Sequence, residues 1–136
     1  MRSFNVLMVD DDPAVCTVIS TILKRQGHTV EVAENGKEAI NRLTVKPGYF
    51  NVLITDHNMP LVSGLELVQY LRKNDYDGKI IVISGVLTPE LLTAYRTKRV
   101  DKILQKPFTV ENLALALKDT FTEWKLLAGE KELQGS

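Results

Sequence analysis

The amino-acid sequence predicts a doubly wound α/β fold, a five-stranded parallel sheet with helices on both faces. Three observations predict it. Short apolar runs alternate five times with helical segments along 136 residues, the pattern of repeated strand–helix–strand crossovers. Some of these runs are apolar at consecutive positions, as in Val52-Leu53-Ile54 and Ile80-Ile81-Val82-Ile83, which suits strands covered on both faces. Residues with useful chemistry stand where the runs stop, at the edge where open α/β sheets place their sites.

Phe4 to Val9 reads as the first strand, ending at Asp10-Asp11-Asp12. Asp12 then suits a helix cap, with Pro13 in the first turn. Val15, Val18, Ile19, Ile22 and Leu23 recur at helical spacing up to Gly27, a stop. His28 to Ala33 alternates, as a second strand does. Asn35-Gly36 is a turn signal, and Ala39, Ile40 and Leu43 share one helical face between Lys37 and Leu43, before Pro47-Gly48. Asn51 to Thr55 is the third strand and delivers Asp56. Ser63-Gly64 opens a helix carrying Leu65, Leu67, Val68 and Leu71, and Asp77-Gly78 is a turn. Ile80 to Ile83 is the fourth strand, ending at Ser84-Gly85. Thr88-Pro89-Glu90 caps a helix with Leu91, Leu92 and Tyr95. Val100 to Leu104 is a weaker fifth strand, broken by Asp101 and Lys102 and ended by Lys106-Pro107. A last helix starts at Thr109 and carries Leu113, Leu117, Phe121, Trp124 and Leu127, and a polar tail follows from Gly129. Right-handed crossovers are expected. The pattern does not fix the strand order. The expected order is the flavodoxin-like 2-1-3-4-5.

Length suits one domain. Lys+Arg and Asp+Glu are both 17, so the formal net charge is zero, which argues against a dedicated nucleic-acid module. The single cysteine, Cys16, excludes an internal disulfide and suits a reducing compartment. It is read as a small hydrophobe on the first helix. No apolar run is long enough to span a bilayer, and Met1-Arg2-Ser3 leads directly into a strand-like run, so no signal peptide is expected. A cytoplasmic location is expected.

If all five strands run parallel, one sheet edge collects Asp10 and Asp11, then Asp56, Ser84 and Lys106. Phosphoryl transfer needs positioning and positive charge on the equatorial oxygens. Asp56 is the candidate nucleophile, forming an acyl phosphate. Three clustered carboxylates repel one another, and a hard divalent cation removes that conflict. Mg²⁺ is the expected ion, with Asp11, Asp56 and the backbone carbonyl of Asn58 as direct ligands and Asp10 acting mainly through water. Lys106 and Ser84 would hold the other phosphoryl oxygens.

Five motifs then fall in order: Val9-Asp10-Asp11-Asp12-Pro13, Asp56-His57-Asn58-Met59-Pro60, Gly64-Leu65-Glu66, Ser84-Gly85 and Lys106-Pro107-Phe108. In these the chain resembles a response-regulator receiver domain of two-component signalling, similar to the single-domain chemotaxis receiver, over about residues 4–121. The resemblance implies a receiver domain over 1–121, and 122–136, with Trp124 and Leu127 beyond the core pattern, reads as an extension of the last helix, as a linker to an unidentified output domain or as a dimerisation helix. It implies that Asp56 is phosphorylated by a histidine kinase or phosphotransfer protein, that Asp10 and Asp11 hold Mg²⁺, that Ser84 is the switch hydroxyl and that Lys106 is the phosphate-holding lysine. Lys106-Pro107 is then a cis bond. It also implies a signalling phosphoacceptor with autocatalytic phosphorylation and dephosphorylation rather than an enzyme, partner switching, a homodimer as a family-level expectation, and no membrane or direct nucleic-acid contact. Ile103 departs from the pattern, because receivers often carry an aromatic residue three positions before the lysine. That implies intact phosphorylation chemistry and an altered read-out. The resemblance also places Asn58 and Val86 at positions that in this family influence hydrolysis of the acyl phosphate.

Two other readings compete. Asp10-x-Asp12 also resembles the nucleophile motif of haloacid-dehalogenase-like phosphohydrolases, with Asp10 as nucleophile, yet no acidic pair follows Lys106 and the chain is short. A flavodoxin-type cofactor binder would want a Ser/Thr/Gly loop after the first strand, where this chain has carboxylates. His57 is expected to point away from Asp56, and His28 to be a surface or half-buried histidine. Arg96, Lys98 and Arg99 read as a docking patch or, equally, as a solvated helix end.

Overall fold

The computed structural model describes residues 3–109 and 111–120. The order is β1 (Asn5–Val9), α1 (Pro13–Arg25), β2 (Thr29–Ala33), α2 (Gly36–Val45), β3 (Val52–Asp56), α3 (Gly64–Lys73), β4 (Lys79–Ser84), α4 (Pro89–Thr97) and β5 (Lys102–Gln105). A helix α5 covers residues 111–120. The sheet has the order β2-β1-β3-β4-β5 with every pairing parallel. The expected fold and strand order are both observed.

Consecutive apolar residues serve opposite layers. Val6 and Met8 of β1 join Val52, Ile54, Ile81 and Ile83 on one face, under Cys16, Ile19 and Leu23 of α1 and Leu113 and Leu117 of α5. Leu7 and Val9 join Leu53, Ile80 and Val82 on the other, under Ala39 of α2, Leu67, Val68 and Leu71 of α3 and Tyr95 of α4. Each large buried side chain contributes about 1.5–3 kcal/mol of transfer free energy. A one-residue slip of a central strand would exchange the two clusters, so register is fixed by packing. Register in turn brings Asp56, opposite Ile83, to the carboxyl edge.

Local signals start and stop the helices. Asp12 accepts from Ala14 N with Pro13 in the first turn of α1, and Gly27, at φ 91°, follows its end. Ser63 and Glu66 form a reciprocal capping box on α3. Thr109 and Asn112 do the same at the start of α5.

Some elements differ from expectation. Asn35 is the N-cap of α2, accepting from Glu38 N, so the helix begins at Gly36 and runs to Val45. The Asn-Gly pair is a helix start because the Asn35 carbonyl has an orphan amide to satisfy. β5 begins at Lys102 rather than Val100. Asp101 explains the shift, because its carboxylate accepts from Ile80 N at 2.8 Å and pairs with Lys79 at 3.3 Å. Val18 is exposed on α1. His28 is buried, accepting from Phe4 N at 3.0 Å and stacking on the Phe4 ring. Among the described residues no helix is long and apolar enough to cross a membrane. Phe121, Trp124, Leu127, the extension 122–136 and the tail from Gly129 lie outside the described residues.

Candidate functional site

Asp10 leaves β1 with its backbone N–H donated to Ala33 O at 3.2 Å. That bond extends the β1–β2 pairing one residue past β1, to the sheet edge, where Asp10 is 2% exposed. Its Oδ1 accepts from Asp12 N at 2.9 Å. Its Oδ2 is buried and has no hydrogen-bond partner. Asp56 closes β3 and is also buried, while Asp11 is exposed. Carboxylate oxygens of Asp10, Asp11 and Asp56 lie within 4.8 Å of one another.

Lys106 follows β5, held by its own N–H donating to Ser84 O at 2.8 Å. Its ammonium stands 3.3 Å from Asp56 Oδ1 and 3.9 Å from Asp10 Oδ2. The Lys106-Pro107 bond is cis. Burial pushes the Asp10 carboxyl up from 3.8 to about 6, helped by the charges of Asp56 and Asp11 and opposed by the Asp12 amide and Lys106. The cluster therefore holds more negative charge than one ammonium satisfies. Oxygen donors, an orphaned buried carboxylate oxygen and an excess of negative charge fit a hard divalent cation.

The structure brings together Asp10, Asp11, Asp56 and Lys106. Ser84 closes β4 and is buried, but its hydroxyl donates to Val86 O at 2.6 Å and accepts from Val86 N at 3.1 Å. It is engaged with the β4–α4 loop rather than with Asp56. Asn58 is exposed in the loop after β3. Ile103 is half-buried against the α2–α3–α4 layer. Cys16 is buried in the other layer.

Three features of the site were not read from sequence. His57 does turn to the opposite side from Asp56, and there its Nδ1 shares a hydrogen bond with the Tyr95 hydroxyl of α4. The rings meet edge to face, 5.6 Å between centroids. Gly64 is required by close approach, since a Cβ there would stand 2.5 Å from Asp56 O and 2.8 Å from His57 Cα. Arg72 of α3 donates to Tyr76 O, Gly78 O, Lys98 O and Arg99 O, tying α3 to the end of α4. A buried tyrosine needs a partner for its hydroxyl, which is the one signal that marked Tyr95. Nothing in the sequence named the partner.

A family model for the response regulator receiver domain matches residues 6–118. A response regulator receiver protein of Anaeromyxobacter sp. (strain Fw109-5) is 35% identical over 107 residues, 79% of this chain and 44% of that protein. The response regulator receiver protein CpdR of Brucella abortus (strain 2308) is 32% identical over 108 residues, 79% of this chain and 88% of that protein. The chain spans about half the length, or less, of several other curated relatives. Among solved structures, the chemotaxis protein CheY4 of Vibrio cholerae is 30% identical with a TM-score of 0.78, covering 88% of this chain and 99% of that one. Together with the acid cluster at the carboxyl edge of a 2-1-3-4-5 sheet, these matches establish that the chain belongs to the response regulator receiver domain family of two-component signalling.

Proposed function

We propose that this chain is a phosphoacceptor of a phosphorelay and that Asp56 takes the phosphoryl group from the phosphohistidine of a histidine kinase or phosphotransfer protein. The observation that carries the reading is the Lys106 ammonium 3.3 Å from Asp56 Oδ1, beside two further carboxylates on the same edge. An Asp56 oxygen attacks phosphorus as the P–N bond breaks. The donor imidazole leaves as the neutral ring after taking up a proton, and an acyl phosphate remains. Lys106 moves its charge from the carboxylate to a phosphoryl oxygen, and Ser84 leaves Val86 to donate to another. Asp11, Asp56 and the Asn58 carbonyl would hold a Mg²⁺ directly and Asp10 through water. That ion, when bound, neutralises charge on carboxylates and phosphoryl oxygens. Phosphorylation then changes the binding of an output partner, and the domain works in the cytoplasm without touching membrane or nucleic acid.

The haloacid-dehalogenase-like alternative lacks support at Asp12, whose carboxylate is committed to Ala14 N as a helix cap. The test is incubation with Mg²⁺ and acetyl phosphate followed by intact-mass and peptide analysis. The expected result is one alkali-labile phosphoryl adduct on Asp56, absent in Asp56→Asn and formed on the order of 100-fold more slowly in Lys106→Ala. Adduct on Asp10, or steady turnover of a phosphomonoester, would overturn the reading.

A further inference from the structure

The face of the sheet opposite Asp56 carries a contact that the phosphoryl chemistry does not use. His57 is covalently next to the acceptor, and its backbone is pinned on both sides: its N–H donates to Ile83 O at 2.8 Å, and its carbonyl accepts from Gly64 N at 2.9 Å. Its side chain reaches α4, where Nδ1 shares a hydrogen bond with the Tyr95 hydroxyl. Tyr95 is 0% exposed and is the sole fully buried side chain of α4. The same hydroxyl would stand 3.0 Å from a Cβ on Gly64, so it is wedged at the start of α3 as well. Leu91 and Leu92, the other large apolar residues of α4, are half-buried.

α4 thus has three attachments of different kinds. Its leading loop is held by the Ser84 hydroxyl on both polar backbone atoms of Val86. Its trailing end is clamped by Arg72 on the carbonyls of Lys98 and Arg99. Its middle is anchored by Tyr95 on the residue that follows Asp56. The first attachment is made by a proposed phosphoryl ligand, and the second, the Arg72 clamp, holds the other end of the helix. On the β5 side, Ile103 has no polar atom with which to take part.

We infer that the His57–Tyr95 pair is the link through which the phosphorylation state of Asp56 sets the position of α4, with Tyr95 acting as a positioning residue. A shift of the β3 end on phosphorylation moves the His57 ring. The Tyr95 hydroxyl must follow or lose its partner, because a buried phenol without one is unfavourable. Release of Val86 by Ser84 frees the leading loop at the same moment, so α4 turns on the Arg72 clamp. The inference rests on the phosphoacceptor reading, and deepens it by naming how the site is read.

The test uses the full chain with beryllofluoride and Mg²⁺ as the phosphoryl mimic and amide hydrogen exchange as the readout. In the wild type, exchange across residues 89–97 changes roughly fivefold on adding the mimic, the scale of one hydrogen bond. In Tyr95→Phe, which keeps the ring, that change falls below half while the response of residues 10–12 stays. His57→Asn shows the same loss, and the double variant loses no more than either single one. Acetyl phosphate labels Asp56 in all three variants as in the wild type. An α4 response that persists in Tyr95→Phe, that adds between the two substitutions, or that is absent from the wild type overturns the link. Failure of acetyl phosphate to label wild-type Asp56 instead overturns the phosphoacceptor reading on which the link depends.

Discussion

Asp10 is the residue at which the site's purpose conflicts with the fold's stability. Its carboxyl is buried at 2% exposure with one oxygen that accepts no hydrogen bond and has Lys106 only at 3.9 Å, and burial raises it from 3.8 to about 6. The folded chain therefore holds this proton more tightly than the unfolded chain does. The resulting stability is fully present below about pH 4 and is lost as pH rises through about 6, on the order of 2–3 kcal/mol in all. Asp10→Asn should then stabilise the metal-free chain at about pH 7.5 by about 2 kcal/mol, with no gain below about pH 4, as urea titrations at the two pH values would report. A variant no more stable at the higher pH would remove burial as the cause. Mg²⁺ at ten times its Kd should stabilise the wild type by about 1.4 kcal/mol. Asp10→Asn should show less, since the charge that the ion neutralises is gone.

Elements bring these residues into position, and two contacts between elements decide how firmly. Gly64, at the start of α3, lies under the Asp56 carbonyl, where a Cβ would be 2.5 Å from backbone oxygen. Backbone cannot yield as a flexible side chain can. Gly64→Ala should cost about 2 kcal/mol in urea midpoint analysis and slow acetyl phosphate labelling of Asp56, because the strand end itself must move. A variant labelled at the wild-type rate would show that α3 gives way instead. Arg72 of α3 makes four carbonyl contacts between 2.7 and 3.2 Å, two to Tyr76 and Gly78 after α3 and two to Lys98 and Arg99 at the trailing end of α4. Arg72→Met keeps the stem and should cost about 2–3 kcal/mol. Faster hydrogen exchange should appear at residues 76–79 and 98–101. Arg72→Lys should recover less than half, since a point charge cannot span the positions of a planar fork.

The described residues form two cores separated by one sheet. Ile19 belongs to the α1–α5 layer and Ile80 to the α2–α3–α4 layer. Ile19→Val and Ile80→Val should each cost about 1 kcal/mol, and together their sum within about 0.5 kcal/mol, because they share no cluster. A double variant that departs further would mean that strain crosses the sheet. The arrangement suits a switch. Asp56, the proposed acceptor, sits on the edge between the layers, with Asp10 and Lys106 around it, while the adjacent His57 reaches α4 in the second layer.

Sequence alone determined the alternation of strands and helices, the strand-end placement of Asp10, Asp56, Ser84 and Lys106, and most helix caps. These are set by neighbours in the chain: a run of apolar residues, a capping side chain, a proline in a first turn. It misjudged Asn35 and Asp101, each of which satisfies an amide that a one-dimensional pattern does not display. It placed Tyr95 on a helix and His57 off the acceptor without joining them, because 38 residues separate the pair. Tertiary structure alone decided that pairing, the close approach at Gly64, the Arg72 clamp and the turn of the Ser84 hydroxyl onto Val86. Each depends on where two packed layers bring distant backbone and side-chain atoms, and hydrophobic periodicity carries no information about that.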